Sequence, residues 1–504
     1  MMRRIDDLRQ PAPGSGLGAV GVHAERSLQF RGFPTLSSRG LRPVDHGDPG
    51  LPAGIDGTAD GAGPGDASEP IRAEFRTPPA AGDTVRPLRI ALLGYRSNPF
   101  SGGQGIYISA LARALTDLGH SVDVISGPPY PQLDDDIPLV RIPSLDLYAV
   151  DNHVTALRPR HFRSLTDLGE YFSMLTGGFP EPWTFGRRLV KWMRTHGAGY
   201  DVVHDNQSLC HGLLELQRLG LPVVATIHHP IQRDREIALD HATGWRQRLL
   251  IRRWHAFIGM QEQVVRRLEH VVTVSSASRD DIASAFRVPA ASIDVVHNGI
   301  DTDAFRPLPA IRRETELLMT VASADQPLKG LSHLLDALAR LRRTRPKLRL
   351  LVIGRLREDS ATGARIAELG LEDAVEFRSG LSREALVECY ARATIAVVPS
   401  LYEGFGLPAG EAMACGVPVV STRGGALPEV VGDAGALVPP GDGRALAEAI
   451  AGLLDDPARR AGLSARGRAR VLAHFSWQVA ARRMTAYYEE VLAARTADRA
   501  PVGS

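Results

Sequence analysis

The sequence predicts an α/β protein made of two successive doubly wound domains. Three observations support this prediction: short apolar runs suited to buried parallel strands, helical stretches between most of them, and a polar, proline-bearing break near residues 307–309 after which the pattern starts again. A chain of 504 residues, 44% of them hydrophobic, is long enough to fill the cores of two such domains.

Residues 1–86 differ in composition from the rest of the chain. They are rich in Gly, Pro, Asp and Ala and contain few large apolar side chains. Because such a segment cannot bury enough apolar surface to offset the entropy lost on ordering, we expect it to be disordered.

The first domain is expected at residues 87–306. It opens with the apolar run LRIALLGY, a glycine-rich loop and an amphipathic stretch, followed by a second strand at 121–126. This strand–loop–helix–strand unit is typical of doubly wound sheets. Further strands are predicted at 201–204, 222–229, 270–276 and 293–299.

The second domain is expected at residues 307–474. Its predicted strands are 316–323, 348–354, 374–380, 395–400 and 417–422. A long amphipathic helix at residues 475–495 follows the last of these strand signals.

The overall composition excludes several classes of protein. The formal net charge of +2 gives no strong attraction to nucleic acid, so no nucleic-acid partner is expected. Three widely spaced cysteines without a C-x-x-C pair indicate a reducing compartment rather than a disulfide or zinc framework. No apolar run approaches about 18 residues, and no secretory signal is visible, so a cytoplasmic location is expected.

The loop SGGQG, at residues 101–105, is the first candidate binding element. Gly102 and Gly103 let backbone N–H groups approach a ligand, and the following helix presents its positive end, which suits a phosphate or a sugar. A simple turn is an equally open interpretation. The loop is too long for G-x-G-x-x-G, and Asp123 lies inside the next strand, so a nicotinamide oxidoreductase is disfavoured.

The segment TIHHP contains a second candidate. His228 and His229 end a predicted strand, where ligands gather in open α/β sheets. Neighbouring histidines lack the spacing of metal ligands, so a metal site is disfavoured. Two interpretations stay open: a hydrogen-bonded histidine pair, or a contact between one ring and the hydroxyls of a bound sugar.

Lys329, in PLKG, directly precedes an amphipathic helix. A cation near a helix N-terminus opposes the helix dipole unless an anion such as a diphosphate lies between them. Lysine occurs elsewhere only at Lys191 and Lys347, which favours a function for Lys329 over a solvated surface position.

The segment EGFGLPAGE places Glu403 and Glu411 on either side of a glycine-rich turn, before a helix expected to begin near Pro408. Gly404 and Gly406 expose backbone donors suited to diphosphate oxygens. Glu411, expected in the first helical turn, and Glu403 can each accept hydrogen bonds from sugar hydroxyls. The simpler interpretations, a partner for the helix dipole and a surface acid, are weaker because both acids flank the same turn.

In this order the motifs resemble family 4 of the retaining glycosyltransferases. The resemblance covers residues 88–495 and rests on the segments SGGQG, TIHHP, TVSSASRDDI, VVHNGID, PLKG, PSLYEGFGLPAGEAMACGVPVV and GGALPEVV. It implies the GT-B fold, with two facing Rossmann-like domains and residues 475–495 as a helix that crosses back to the first. It also implies a nucleotide-diphosphate sugar as donor substrate, with no metal or other cofactor.

The resemblance further implies roles for individual residues. Glu411 would hold the nucleotide ribose, Glu403 the sugar hydroxyls and Lys329 the diphosphate. His228, Lys329 and Glu403 would be the catalytic residues. The implied site also includes the glycine-rich turn, with the backbone amides of Gly404, Phe405, Gly406 and Leu407. His228 would lie near the donor sugar, and Gly102 and Gly103 near the diphosphate and the acceptor.

One position departs from the family pattern. Members commonly carry an arginine five residues before the lysine, where this chain has Ala324. A guanidinium there would form charge-assisted hydrogen bonds to the diphosphate. Arg355 or Arg423 is expected to substitute, or else leaving-group stabilisation is weaker.

The implied activity is the retaining transfer of a hexosyl group to an acceptor hydroxyl of a glycolipid, an envelope polysaccharide or a small molecule. The alternative is a catalytically weak, glycosyltransferase-like protein that only binds nucleotide sugars. The basic amphipathic segment 244–270 allows peripheral contact with an anionic membrane at the inner face, although a solvated basic face with its apolar side packed on the core is favoured.

Overall fold

The computed structural model describes residues 86–99, 103–147, 158–240, 242–322, 326–357 and 360–499. Of the segment predicted to be disordered, all but Arg86 lies outside these ranges. Gly102 and Ala324 lie outside them as well.

The first described sheet is parallel throughout and has the strand order β3-β2-β1-β4-β5-β6-β7. Each strand predicted for the first domain is present, and the short edge strand β3 was not predicted. The strands are β1 (Arg89–Gly94), β2 (Ser121–Ser126), β3 (Leu139–Arg141), β4 (Val202–Asn206), β5 (Val223–Ile227), β6 (His270–Thr273) and β7 (Ile293–Val295).

Helices cover both faces of this sheet, which is why its strands are continuous apolar runs. Leu92 of β1 packs with Ile108 on one face, and the adjacent Leu93 packs with Leu189 on the other. The helices are α1 (Gln104–Asp117), α2 (Leu165–Leu175), α3 (Glu181–His196), α4 (His211–Arg218), α5 (Ile231–Asp240), α6 (Trp245–Trp254), α7 (Ile258–Val265) and α8 (Ser276–Phe286).

The second described sheet is also parallel, with the order β10-β9-β8-β11-β12-β13. Its strands are β8 (Leu317–Val321), β9 (Arg349–Ile353), β10 (Val375–Arg378), β11 (Ile395–Val398), β12 (Val419–Thr422) and β13 (Ala436–Val438), the last of which was not predicted. Its helices are α9 (Leu331–Arg342), α10 (Ala361–Glu368), α11 (Arg383–Arg392), α12 (Leu407–Ala414), α13 (Leu427–Val431), α14 (Gly443–Asp455) and α15 (Pro457–His474).

The last helix, α16 (Trp477–Arg499), returns to the first sheet. Its residues Met484 and Tyr488 belong to the same hydrophobic core as Leu92 and Ile108. His120 also contacts Thr485 across this interface, with 2.9 Å between Nε2 and Oγ1. The two doubly wound sheets and the crossover helix are therefore confirmed. The domain boundary predicted at 306–307 falls between β7 and β8, and the one predicted at 474–475 falls just before α16. Both boundaries stay a prediction.

A carboxylate of the second domain fixes the start of a helix in the first. Glu429 accepts hydrogen bonds from the backbone N–H groups of Ser276 (2.9 Å) and Ala277 (3.0 Å), at the N-terminus of α8. His297 Nε2 lies 3.3 Å from the same carboxylate. Burial alone would raise the pKa of Glu429, but these hydrogen bonds outweigh it and lower the pKa. The anion thus satisfies helix donors across the domain contact.

The basic segment 244–270 is only partly packed on the core. Ile258 and Val264 of α7 are buried, as expected. On α6, however, Trp245 is 71% exposed and Leu249 is 58% exposed. On the same helix Ile251 is buried, so α6 packs part of its apolar side on the core and leaves part of it exposed. No helix in the described part of the chain combines the length and apolar character needed to cross a bilayer.

Candidate active site

A cleft of about 630 Å³ lies between the two domains. It is lined by the loops that follow β1, β5, β6 and β7 of the first sheet and β8, β10 and β11 of the second. These are the carboxyl ends of parallel strands, where open α/β sheets bind ligands. The volume suits a ligand of a few hundred daltons.

The cleft brings together nearly all residues that the sequence predicted for the site. They come from positions more than 300 residues apart and meet because both sheets turn their carboxyl ends toward the same space. Gly102 lies outside the described residues. The predicted residues that line the cleft are Gly103, His228, Lys329, Glu403, Gly404, Phe405, Gly406, Leu407 and Glu411.

Lys329 and Glu403 form an ion pair at the cleft surface. Lys329 Nζ donates to Glu403 Oε1 at 2.8 Å, and Ser400 Oγ donates to the same oxygen at 2.7 Å. The turn that carries Lys329 is held close to the strand end, since a Cβ on Gly330 would lie 2.0 Å from the carbonyl oxygen of Pro399. Only glycine fits this left-handed position (φ 65°), so the backbone fixes where the ammonium group lies.

The glycine-rich turn leads into α12. Gly406 has φ 100°, and a Cβ there would lie 2.8 Å from Leu427 Cδ2. Its left-handed conformation starts the helix at Leu407, so Glu411 is the fifth helical residue and lies in the second turn. The prediction that Glu411 belongs to the first helical turn was therefore wrong, because the helix starts one residue earlier than expected. Leu407, the first helical residue, and Gly406 line the cleft, so the helix presents its N-terminus there.

Two serines of the first domain hold this turn from the other side. Ser275 Oγ and Ser278 Oγ donate to the carbonyl oxygen of Gly404, at 2.6 and 2.9 Å. Tyr402, one residue before Glu403, donates its hydroxyl to Asp281 on α8. The first domain therefore positions the backbone of a turn that belongs to the second.

The carboxyl group of Glu411 is held in an apolar setting. Burial raises its pKa to about 7, while the hydrogen bond from Tyr390 and the charge of Arg383 act in the opposite direction. Tyr390 OH lies 3.2 Å from Glu411 Oε2. Arg383 lines the cleft and pairs with Asp301 at 2.8 Å. Neither Tyr390 nor Arg383 was predicted, because no sequence spacing connects them to Glu411.

His228 is a neutral histidine of defined tautomer. Burial, followed by the neighbouring His229 and His204, lowers its pKa to about 3. Its Nε2 lies 2.7 Å from Asn206 Oδ1, and Asn206 Nδ2 donates to the carbonyl oxygen of Gln104 at 3.1 Å, which fixes the orientation of the amide. An amide oxygen only accepts, so the His228 Nε2 carries the proton and Nδ1 is left as an acceptor.

The two histidines of TIHHP contact different partners. His229 faces Asp234, at 3.4 Å, whereas the ring of His228 bonds to Asn206 and lies edge-on to Tyr107, with 4.6 Å between ring centres. Within the described ranges, no three His, Cys, Asp or Glu side chains form a group suited to a metal ion. Asn206 and Tyr107 are further residues of the site that sequence spacing could not reveal.

Two of the described arginines line the cleft, and neither is one of those expected to compensate for the arginine that the chain lacks at position 324. Arg355 and Arg423 are not among the described residues that line it, whereas Arg233 and Arg383 are. Arg233 lies over the ring of Tyr402, at 4.7 Å from its centre.

Two family models match the chain in succession. A model described as Glycosyltransferase Family 4 matches residues 101–304, and one described as Glycosyl transferases group 1 matches residues 304–470. An MMP α-(1→4)-mannosyltransferase of Mycolicibacterium hassiacum is 46% identical over 410 residues, covering 81% of this chain and 99% of the relative.

Further similar proteins match along most of the chain. A D-inositol 3-phosphate glycosyltransferase of Thermobispora bispora is 31% identical, covering 82% of this chain and 97% of the relative. Among solved structures, the sucrose-phosphate synthase of Thermosynechococcus elongatus superposes with a TM-score of 0.58 at 25% identity, over 81% of this chain and 100% of that chain.

The raised pKa of Glu411 makes stability depend on pH. Between pH 4.5 and about 7 the folded protein holds a proton that the unfolded chain has released, so a rise in pH through this window lowers the free energy of unfolding. Glu411→Gln removes this titration. The free energy of unfolding of the wild type minus that of the variant should therefore fall between pH 5 and pH 8, as measured by urea denaturation.

The control for this comparison is Glu448→Gln, because Glu448 is an exposed residue paired on the surface with Arg444. Its difference from the wild type should stay flat across the same pH range. A flat difference for Glu411→Gln as well would contradict a buried carboxyl group of raised pKa.

Proposed function

The chain belongs to glycosyltransferase family 4, and from this membership we propose that it transfers a mannosyl group from a nucleotide-diphosphate mannose to the 4-hydroxyl of an acceptor sugar, with retention of the anomeric configuration. The glycosyltransferase activity and the GT-B fold expected from the sequence are confirmed. The donor, the sugar, the stereochemistry and the roles of individual residues are the proposal.

The observation that carries the proposal is the 46% identity to the MMP α-(1→4)-mannosyltransferase, along 99% of that relative. An α-(1→4) product requires an acceptor sugar with a free 4-hydroxyl. Since nucleotide-diphosphate mannose carries its leaving group in the α configuration, an α product means that the configuration at the reacting carbon is retained.

Lys329 and the start of α12 are proposed to hold the diphosphate. An ammonium group has three hydrogen-bond donors, so Lys329 can keep its bond to Glu403 and donate to a diphosphate oxygen as well. The backbone N–H groups of Gly406 and Leu407, at the start of α12, add the positive end of the helix. Together they stabilise the negative charge that develops on the leaving group.

Glu403 and His228 are proposed to hold the mannosyl group. Glu403 Oε1 is fixed by Lys329 and Ser400, which leaves the carboxylate able to accept hydrogen bonds from sugar hydroxyls. A neutral His228 can accept a hydrogen bond at Nδ1 without placing a positive charge beside a sugar that becomes oxocarbenium-like. Glu411 is proposed to meet the ribose hydroxyls, and Gly103 to lie near the diphosphate and the acceptor.

The chemical step is proposed to occur on one face of the sugar. The bond between the anomeric carbon and the diphosphate breaks, the acceptor oxygen forms the new bond on the same face, and the acceptor proton passes to the departing diphosphate. In this mechanism Glu403 binds the donor and forms no covalent bond. No metal takes part, because Lys329 and the helix N-terminus supply the positive charge that the leaving group needs.

Replacing the ammonium group tests this assignment. Lys329→Gln should lower kcat/KM for mannosyl transfer by about 10²–10³-fold, since one electrostatic donor to the leaving group is lost. Lys347→Gln, at an exposed lysine, is the matched control and should leave kcat/KM unchanged. Transfer is followed with GDP-mannose and an α-(1→4)-linked mannobiose, and the new linkage is identified by NMR.

Each outcome of this assay bears on one part of the proposal. A β-linked product would contradict retention. Full activity of Lys329→Gln would remove Lys329 from the site. Nucleotide-sugar binding without transfer to any α-mannoside, and without hydrolysis, would support the alternative of a catalytically weak binding protein.

We also propose that the exposed face of α6 contacts an anionic membrane. Trp245 and Leu249 are one turn apart and exposed, and Arg246, Arg248 and Arg252 are exposed beside them. An amphipathic basic helix with an exposed tryptophan is typical of interfacial binding.

Vesicle sedimentation tests this contact. At low salt the protein should sediment with vesicles that contain phosphatidylserine and less with neutral vesicles, and Trp245→Ser should weaken the binding several-fold. Leu472→Ser, at an exposed leucine of α15, serves as the control. Absence of sedimentation with the anionic vesicles would contradict the proposed membrane contact.

A further inference from the structure

Asn298 lies on the floor of the cleft, in the segment that connects the two domains. Its side-chain oxygen Oδ1 is buried and has no hydrogen-bond partner within the described part of the chain. A buried carbonyl oxygen without a partner costs free energy, and native structures contain few of them. A polar group of this kind in a binding cleft indicates a partner that arrives with the ligand.

The backbone on both sides of Asn298 is held by contacts with other parts of the chain. His297, the residue before it, is buried against Glu429 at 3.3 Å. After it, a Cβ on Gly299 would lie 2.2 Å from Trp477 Cδ2, and the N–H of Ile300 donates to the carbonyl oxygen of Phe475 at 2.5 Å. These contacts with the second domain and the crossover segment hold the amide at the floor.

The surroundings limit what the partner can be. Apolar side chains such as Val274, Phe305 and Phe405 line the same cleft, and no polar group in the described part of the chain donates to Oδ1. The oxygens of an ionised diphosphate have no hydrogen to donate. The partner of Oδ1 must therefore carry a hydrogen that it can donate, as a hydroxyl or an N–H group of a bound molecule does.

We propose that Asn298 is a donor-binding residue whose Oδ1 accepts a hydrogen bond from a hydroxyl group of the nucleotide sugar. This inference rests on the proposed function, because it needs a nucleotide sugar in the cleft. The hydroxyl comes either from the transferred hexose or from the ribose. An uncharged hydrogen-bond acceptor such as Oδ1 suits a contact with either hydroxyl, since it adds no negative charge beside the diphosphate.

The proposal makes an unusual combination of predictions for Asn298→Leu, which keeps the approximate size of the side chain and removes its polar atoms. The free energy of unfolding should be unchanged or higher, because the unpaired buried oxygen is gone. The Kd for the nucleotide sugar should rise about 3–10-fold, as expected for the loss of one neutral hydrogen bond. Asn298→Ala allows the same comparison if the leucine variant does not fold.

Thr320→Val is the matched control. Thr320 Oγ1 is another buried oxygen without a partner in the described ranges, but it lies in β8 and not among the residues of the cleft. Its replacement should preserve or raise stability in the same way and leave the Kd unchanged.

Calorimetric titration separates the sources of the hydroxyl. Wild type is first titrated with the mannose esters of GDP, UDP and ADP, and the variants are then titrated with the ester that binds and with its free nucleoside diphosphate. Weaker binding of the sugar ester alone assigns the contact to the hexose, and equal weakening of both assigns it to the ribose.

Three results would overturn the assignment. An unchanged Kd for both ligands would remove Asn298 from the site. A fall in stability that accompanies weaker binding, in both Asn298 variants, would show a structural role. If the wild type binds none of the sugar esters, the proposed donor itself fails, and this result is distinct from a failure of Asn298 alone.

Discussion

The cleft depends on how the second domain is fixed against the first. Glu429 satisfies the N-terminal amides of α8, and two serines at the start of that helix, Ser275 and Ser278, hold the carbonyl oxygen of Gly404. The glycine-rich turn of one domain is thus positioned by a helix end of the other. Glu403 precedes this turn and α12 follows it. The contact between the turn and α8 therefore sets the distance between the groups that line the cleft.

Burial decides which of these groups are charged. Glu411 has a pKa raised to about 7 and His228 has a pKa lowered to about 3, and in both burial is the largest cause. His228 is therefore neutral at pH 7, whereas Glu411 is poised near that pH. Lys329 and Glu403 form one ion pair at the partly exposed surface of the cleft, and Arg383 and Asp301 form another. A site of this kind suits a ligand with a diphosphate at one end and neutral hydroxyls at the other.

Much of the fold could be predicted from the sequence because buried parallel strands are continuous apolar runs. The two strands that were missed, β3 and β13, are three residues long and only partly buried, so they leave no such run. That the candidate site residues lie together in one cleft could be predicted because the motifs follow strand ends, which a parallel sheet gathers at one edge. Asn206, Tyr390 and Asn298 were missed since their role follows from neighbours in space, and sequence spacing does not encode them.

The most direct test of the account is a thermal denaturation screen of the full chain against UDP-, GDP-, ADP- and TDP-sugars in the presence of a chelator. A ligand that binds the folded protein raises its stability by about 2.7 kcal/mol at a hundred times its Kd. The account predicts that one nucleotide series raises Tm without metal, and that the effect is weakened in Lys329→Gln. No rise in Tm with any of these sugars, or a rise that needs a divalent cation, would contradict it.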